Sequence, residues 1–348
     1  MAREDTLGVG IIGSGFMGQT YARTVRDMVD GATLVAVAGG TRAGDLAQEY
    51  GIAQCATYQE LVERRDVDLV FIATPHALHA EQAIEAARAG KHLLIDKPMA
   101  CTVAACDAIL DACRAGGLKC GVTFTQRTRV GFAKALALIA TGRLGAVLHV
   151  RTYQVVPEGL GVVPRWQMSA ENIGLLFGHG IHNIDAVRAI TGQEIRSVFA
   201  KTRTFSGAPV DGVSDVLLTM GDGSVHYVFC SFEAPKPGFP RNGFGARILC
   251  ERGLIDLDGY GETRVSVEGD PWETIAVQPP VDWAGAGFLD PNRLEAYGLL
   301  IQDLVNAIRE DRDPAITGWD GRQAVAAALA AYESSRTGAE ITLDMFAN

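Results

Sequence analysis

Three groups of residues in this chain have the types and spacing that chemistry needs. The first is Gly13-Ser14-Gly15-Phe16-Met17-Gly18, which fits G-x-G-x-x-G. Gly13 suits a tight turn, Gly15 lets a pyrophosphate approach the backbone, and Gly18 allows close helix–strand packing. Phosphates would rest at the N-terminus of the following helix, where free N–H groups and the dipole favour anions. Gly13, Gly15, Phe16 and Met17 would then surround them. The second group is Lys97, set between Asp96 and Pro98. An amine whose pKa is lowered by burial or a nearby cation can accept an alcohol's proton, and as a cation it steadies a developing alkoxide. The third is His182, whose ordinary pKa of about 6.5 suits general acid–base work. A dinucleotide with such groups is the equipment for hydride transfer at a hydroxyl or carbonyl carbon. Blander readings stand beside these: Lys97 paired with Asp96 at the surface, and His182 as a satisfied structural residue on a helix whose other face, Ile184, Val187 and Ile190, is apolar.

These residues need elements to position them. Residues 7–12 form an uncharged apolar run that suits a buried parallel strand, and residues 19–29 read as a helix. A second strand covers 33–38. A carboxylate at its end would bind the ribose 2′-hydroxyl of NAD, but Gly39 and Gly40 stand there. Thr41 and Arg42 follow, which favours NADP over NAD; Arg42 as a solvated helix-start residue is the alternative. A third strand, 68–74, ends in Thr74-Pro75-His76. Helix 79–90, a fourth strand over 92–96, helix 103–115 and a strand over 119–124 complete a doubly wound parallel sheet. Ligands in such sheets lie beyond the carboxyl ends of the strands. Gly13, Thr41, Pro75-His76 and Asp96-Lys97-Pro98 all fall there. His76 either borders the nicotinamide ribose or caps the next helix.

The pattern changes near residue 124, giving domains of 1–124 and 125–348. After a helix over 132–142, long alternating strands over 147–156, 195–204, 213–220 and 224–232 suit an antiparallel sheet with one face covered. Shorter strands follow at 247–250 and 253–257. Helices cover 181–191, 294–309 and 321–337. Residues 235–245, with three prolines and three glycines, read as a loop.

Composition narrows the classes. The chain has 348 residues, 48% hydrophobic and 21% charged, as a compact protein of two or more domains would. A net charge of −10 argues against nucleic acid as a partner. The chain has no apolar run that would span a bilayer and a polar N-terminus, so a cytoplasmic location is expected. Seven cysteines, with no C-x-x-C pair, read as reduced thiols that hold no metal.

Larger segments resemble the Gfo/Idh/MocA oxidoreductases, named for glucose–fructose oxidoreductase, inositol dehydrogenase and rhizopine catabolism. Residues 73–80, Ala-Thr-Pro-His-Ala-Leu-His-Ala, are similar to that family's loop after the third strand. Residues 89–99 are similar to its A-G-K-H-V-L-x-E-K-P segment, and residues 178–185 to its D-x-G-x-H-x-x-D segment. Residues 320–324 and 335–338 resemble its C-terminal pattern. The resemblance implies a Rossmann domain followed by an α/β domain on an open, mainly antiparallel sheet. It implies hydride transfer with NADP or NAD on a sugar, polyol or related cyclic alcohol, and a homodimer or homotetramer built through the C-terminal sheet. Four positions depart from the pattern. Asp96 stands for the glutamate, Gly178 for the aspartate before the histidine, and Asn172-Ile173-Gly174 for three glycines; the second strand lacks the NAD-type acid.

The resulting assignment gives proton transfer to Lys97 and His182, which fall in different domains, so that the reacting carbon would lie in the cleft between them. Thr74, Pro75, His76, Asp96 and Lys97 join the cofactor residues. Lys97, Arg127, Tyr153, Arg165, Trp166, His179 and His182 are candidate substrate contacts, with arginine suited to a carboxylate or phosphate, and each has a structural alternative. Asp185 would orient the site or serve the helix start. Alternatives for the whole chain are a dehydrogenase of a carboxylated cyclic diol or semialdehyde, redox-assisted glycoside cleavage with retained cofactor, and a cofactor-binding sensor.

Overall fold

The computed structural model describes residues 6–161, 163–168, 173–239, 241 and 243–346. The chain forms two compact units, residues 1–125 with 281–322, and residues 126–280 with 323–348. A single break near residue 124 therefore does not describe the packing, because a late segment returns to the first unit.

The first unit begins with strand β1 (Leu7–Ile12), helix α1 (Phe16–Met28), β2 (Ala32–Ala38), α2 (Ala43–Tyr50) and β3 (Ala53–Cys55). It continues with α3 (Tyr58–Val62), β4 (Leu69–Ile72), α4 (His79–Arg88), β5 (His92–Ile95), α5 (Val103–Gly116) and β6 (Cys120–Val122). The strand order is β3-β2-β1-β4-β5-β6, all parallel. This is the dinucleotide-binding order, with its ligand crevice where the order reverses between β1 and β4. The sheet reads as uncharged apolar runs because helices cover both faces, and Val9, Ile11, Val70, Phe71 and Leu94 are fully buried. The three-residue β3 carries too short a pattern to be legible in the sequence.

The second unit holds α6 (Val130–Ala140), β7 (Val147–Val155), α7 (Ile181–Thr191), β8 (Ile195–Arg203), β9 (Val213–Met220) and β10 (Val225–Ser231). Strands β11 (Phe244–Cys250), β12 (Gly253–Asp258), β13 (Glu262–Val267) and β14 (Glu273–Val277) follow. Helix α8 (Pro291–Arg309) belongs to the first unit, the unit boundary falls within α9 (Gly318–Thr337), and β15 (Ile341–Thr342) closes the large sheet. That sheet runs β14-β13-β12-β11-β7-β10-β9-β8-β15, and its only parallel pair among the described strands is β7 with β10. One face is buried, as Val150, Thr152, Val198, Ala200, Val216, Leu218 and Val228 show, and α7 packs on β7. Strand β14 sits at the sheet edge, where burial is partial and alternation weak, and β13 lies next to it between β12 and β14; neither was expected as a strand. No helix among the described residues is long and apolar enough to cross a membrane.

Candidate active site

The glycine turn leaves β1 and enters α1 with the geometry a phosphate needs. Gly13 has φ +107°, and a Cβ there would stand 2.5 Å from the Ala73 carbonyl oxygen. A Cβ on Gly18 would stand 1.9 Å from the Gly13 carbonyl oxygen, so only glycine lets the helix approach the strand this closely. Gly15 differs: nothing lies within 4 Å of its missing Cβ. It is also the N-cap of α1, without a side-chain cap and with no acidic residue in the first turn. An anion thus has open space over a helix N-terminus. Phe16 is exposed and Met17 half-buried at this turn.

At the end of β2, Gly39 and Gly40 have φ +75° and +80°. The buried Ser14 hydroxyl accepts the Arg42 backbone N–H at 3.1 Å. The Thr41 and Arg42 side chains are exposed at the start of α2. No carboxylate stands in this turn from Gly39 to Arg42.

The loops after β4 and β5 lock together. Asp96 Oδ1 accepts the Tyr21 hydroxyl at 2.8 Å and the Thr123 hydroxyl at 2.7 Å. Thr123 in turn accepts the Lys97 backbone N–H at 3.2 Å. Asp96 therefore acts through Tyr21 and Thr123 to fix the backbone beside Lys97. Burial pushes the Lys97 amine below its usual range, the Asp96 carboxylate opposes this, and the Arg293 guanidinium adds to the lowering. Thr74 donates its hydroxyl to Gln82 at 2.6 Å. His76 is buried with its ring 5.8 Å from that of His79, and no side-chain hydrogen bond caps α4.

His79, Tyr21, Thr123 and Arg293 were not legible as site residues. The His79 ring lies 2.8 Å by Nδ1 from the Pro98 carbonyl oxygen and 2.7 Å by Nε2 from that of Thr74. It spans the two loops; a neutral ring donates to one carbonyl and an imidazolium to both. Burial pushes its pKa down, while Asp96 and the two carbonyls pull it up. His79 lies within the 73–80 segment, which was the available signal. Arg293, on α8, is caged by Phe16, Phe288 and Tyr297, with its guanidinium carbon 5.2, 5.3 and 4.7 Å from the ring centres. It donates to the Phe288 carbonyl at 2.6 Å and the Tyr297 hydroxyl at 2.9 Å. No local pattern in the sequence ties this late helix to the N-terminal turn.

In the second unit, Leu176–Gly180 forms a π-helical turn that runs directly into α7. His182 is half-buried in the first turn of α7. His179 Nε2 is 2.6 Å from Gln167 Oε1, and its ring centre is 5.1 Å from that of Phe232. Gln167 shares the turn Arg165–Met168 with the exposed Arg165 and Trp166, so the fold gathers these two expected residues beside His179. Arg127 instead engages Asp185 through both Nε, at 2.8 Å, and Nη2, at 2.5 Å. Asp185 is only 1% exposed, so this is a buried bidentate pair on the helix of His182, and the arginine expected at a substrate holds α7. Asp185 is not at the cap, which is Gly180. Tyr153 falls elsewhere: strand alternation puts it on the face of Arg151, opposite the buried Thr152 face. Asn172, residues 162, 169 and 170, and residues 240 and 242 of the loop read over 235–245, lie outside the described residues.

Comparison with known proteins agrees with this construction. The profile of the oxidoreductase family with NAD-binding Rossmann fold matches residues 7–124, and that of the GFO/IDH/MocA C-terminal domain matches residues 132–256. The chain is 28% identical over 348 residues to inositol 2-dehydrogenase 2 of Saccharopolyspora erythraea, covering 98% of this chain and 96% of the relative. It is 24% identical to scyllo-inositol 2-dehydrogenase (NAD(+)) of Bacillus subtilis, covering 98% of each. Levoglucosan dehydrogenase, solved with NADH and levoglucosan, superposes with a TM-score of 0.83 at 25% identity, over 97% of this chain and 99% of that one. Two family profiles on the two successive parts of the chain, with full-length relatives, place it: this protein is a member of the Gfo/Idh/MocA oxidoreductase family.

Proposed function

We propose that this chain is an NADP-preferring dehydrogenase or reductase of a sugar, polyol or related cyclic alcohol, with Lys97 and His182 as its proton-transfer groups. The observation that carries the reading is Lys97: an amine with a depressed pKa, on the loop after β5, in the same parallel sheet as an open phosphate turn. Names of full-length relatives support the substrate class, since they include inositol and levoglucosan dehydrogenases.

The first-unit residues fit a dinucleotide. Backbone N–H groups at Gly15, Phe16 and Met17 hold the pyrophosphate, while Thr74, Pro75, His76 and Asp96 border the nicotinamide end. Thr41 and Arg42 take the 2′-phosphate, supported by the glycines that replace a carboxylate at the end of β2. The bound nicotinamide supplies the acceptor or donor of the hydride. Oxidation releases a proton from the substrate hydroxyl as the carbinol hydride leaves. A neutral Lys97 amine receives that proton, and in reduction the ammonium returns it. His182 serves as the second acid–base group, while Arg165, Trp166 and His179 meet the substrate.

We also propose a homo-oligomer formed through the open face of the large sheet, where Phe199, Leu217, Val225, Leu249 and Leu254 are each about two-fifths exposed. Seven free thiols suit a cytoplasmic setting.

Titration with NADPH and NADH, followed by nicotinamide fluorescence and melting temperature, tests the cofactor assignment. The tighter ligand raises the melting temperature more at equal concentration. Stronger NADPH binding is expected. Stronger NADH binding would overturn the role of Thr41 and Arg42, and binding of neither would overturn the reading of the glycine turn.

A further inference from the structure

The family pattern has an aspartate where this chain has Gly178, so the turn before His182 carries no carboxylate of its own. A carboxylate reaches the start of that turn from elsewhere in the unit. Asp211 precedes β9, and its Oδ1 accepts the Leu175 N–H at 2.9 Å and the Tyr332 hydroxyl at 2.8 Å. Its Oδ2 accepts the Leu176 N–H at 2.8 Å and the Ser214 hydroxyl at 3.0 Å. Tyr332, on α9, also accepts the Phe177 N–H at 3.2 Å. Three successive N–H groups that a helix start leaves without intrahelical partners are thus bound by two side chains distant in sequence.

The backbone is shaped to admit them. A Cβ on Gly174 would lie 2.3 Å from Asp211 Oδ1 and 2.6 Å from the Tyr332 hydroxyl. Asp211 meets the positive end of the helical segment, where a carboxylate is favoured. Burial raises its pKa, and the four hydrogen bonds to it act in the opposite sense. Both oxygens are engaged by two donors each, so Asp211 does not substitute for the missing carboxylate at the substrate. What it fixes is the first turn. That turn is π-helical, a geometry that occurs in short stretches set by its surroundings. It presents His179 and passes without interruption into the turn of His182.

We propose that Asp211 and Tyr332 are positioning residues that set the orientation of His182 by clamping the N–H groups of residues 175–177. The inference rests on the reading of His182 as an acid–base group. Its test uses the full chain labelled with 13Cε1-histidine, with the His182 signal assigned by its loss in His182→Asn. Asp211→Ala and Tyr332→Phe are expected to move the titration midpoint of the His182 signal. Asp211→Asn, which keeps an acceptor oxygen, is expected to fall between wild type and alanine. With scyllo-inositol or levoglucosan as probe substrate, Tyr332→Phe should lower kcat about tenfold or more while KM changes less. Should Asp211→Ala fail to fold, Tyr332→Phe carries the test, since it keeps the half-buried ring. An unchanged His182 titration in a folded variant would overturn the clamp. Full turnover by His182→Asn would instead overturn the acid–base reading, a result that the ring titration registers separately.

Discussion

Lys97 shows how a common side chain acquires a special task. Free lysine is protonated at neutral pH, and burial or a neighbouring cation makes its neutral form accessible. Here burial lowers the pKa, and the Asp96 carboxylate, which accepts the Tyr21 and Thr123 hydroxyls, opposes it. Lys97→Met keeps the apolar stem and removes the amine. It is expected to lower kcat about 100-fold or more, the usual range for a lost acid–base group, with affinity for the nicotinamide cofactor changed less. Stopped-flow turnover beside a fluorescence titration checks both. Unaltered turnover would remove Lys97 from the mechanism. The same reasoning places His79 among the residues that matter without touching a substrate, since it ties the Pro98 and Thr74 carbonyls of two neighbouring loops.

Among the elements, α7 carries the heaviest constraint. Its buried face, Ile184, Val187 and Ile190, packs in the second unit, and its one buried carboxylate, Asp185, is neutralised by Arg127. Removing one partner of a buried pair leaves an uncompensated charge, which costs about 3–5 kcal/mol. Arg127→Met should therefore destabilise the protein by about 3 kcal/mol in urea unfolding, whereas the double variant Arg127→Met with Asp185→Leu should recover most of the loss. If the single variant were as stable as wild type, the pair would not be holding α7. Helix α1 shows the opposite economy: its N-terminus is left uncapped and open at Gly15, as a helix end meant for a phosphate should be.

For the whole molecule, the large sheet has one covered and one open face. The open face sets Phe199 beside Leu217 and Leu249 beside Leu254 in register. Leu217→Glu with Leu249→Glu is expected to shift the species in light scattering from oligomer to monomer; an unchanged mass would exclude this face as the interface. The same sheet predicts acid sensitivity. His226 is fully buried between strands, accepts the Val150 N–H at 2.9 Å, and its pKa falls to about 4 through burial and the neighbouring His149. The unfolded chain, at its ordinary value of about 6.5, binds the proton more readily. Stability from this site is therefore present above about pH 6.5 and is lost as pH falls toward 4. Urea midpoints at pH 7.5 and 5 should diverge in the wild type, and less so in His226→Gln.

Much of this was legible because it is local. A glycine turn between an apolar run and a helix, strands spaced for crossovers, and loop residues at strand ends all follow from spacing and backbone sterics, which act over a few residues. Lys97 was visible at a strand end, whereas His182, by position alone a structural histidine on a helix start, was marked by the likeness of residues 178–185 to a family segment. The sequence alone therefore determined the parallel first sheet and the mainly antiparallel second one, short of β3, β13, β14 and β15, and its family resemblance determined the class of chemistry. Long-range packing decided the rest. Only the fold could show that residues 281–322 return to the first unit, that Arg293 is caged beside Phe16, that Arg127 is held by Asp185, and that Tyr153 faces away from the covered side of its sheet. These contacts join residues far apart in the chain, and the burial that sets the Lys97 pKa, like the clamp from Asp211 and Tyr332, exists only once those distant segments are packed together.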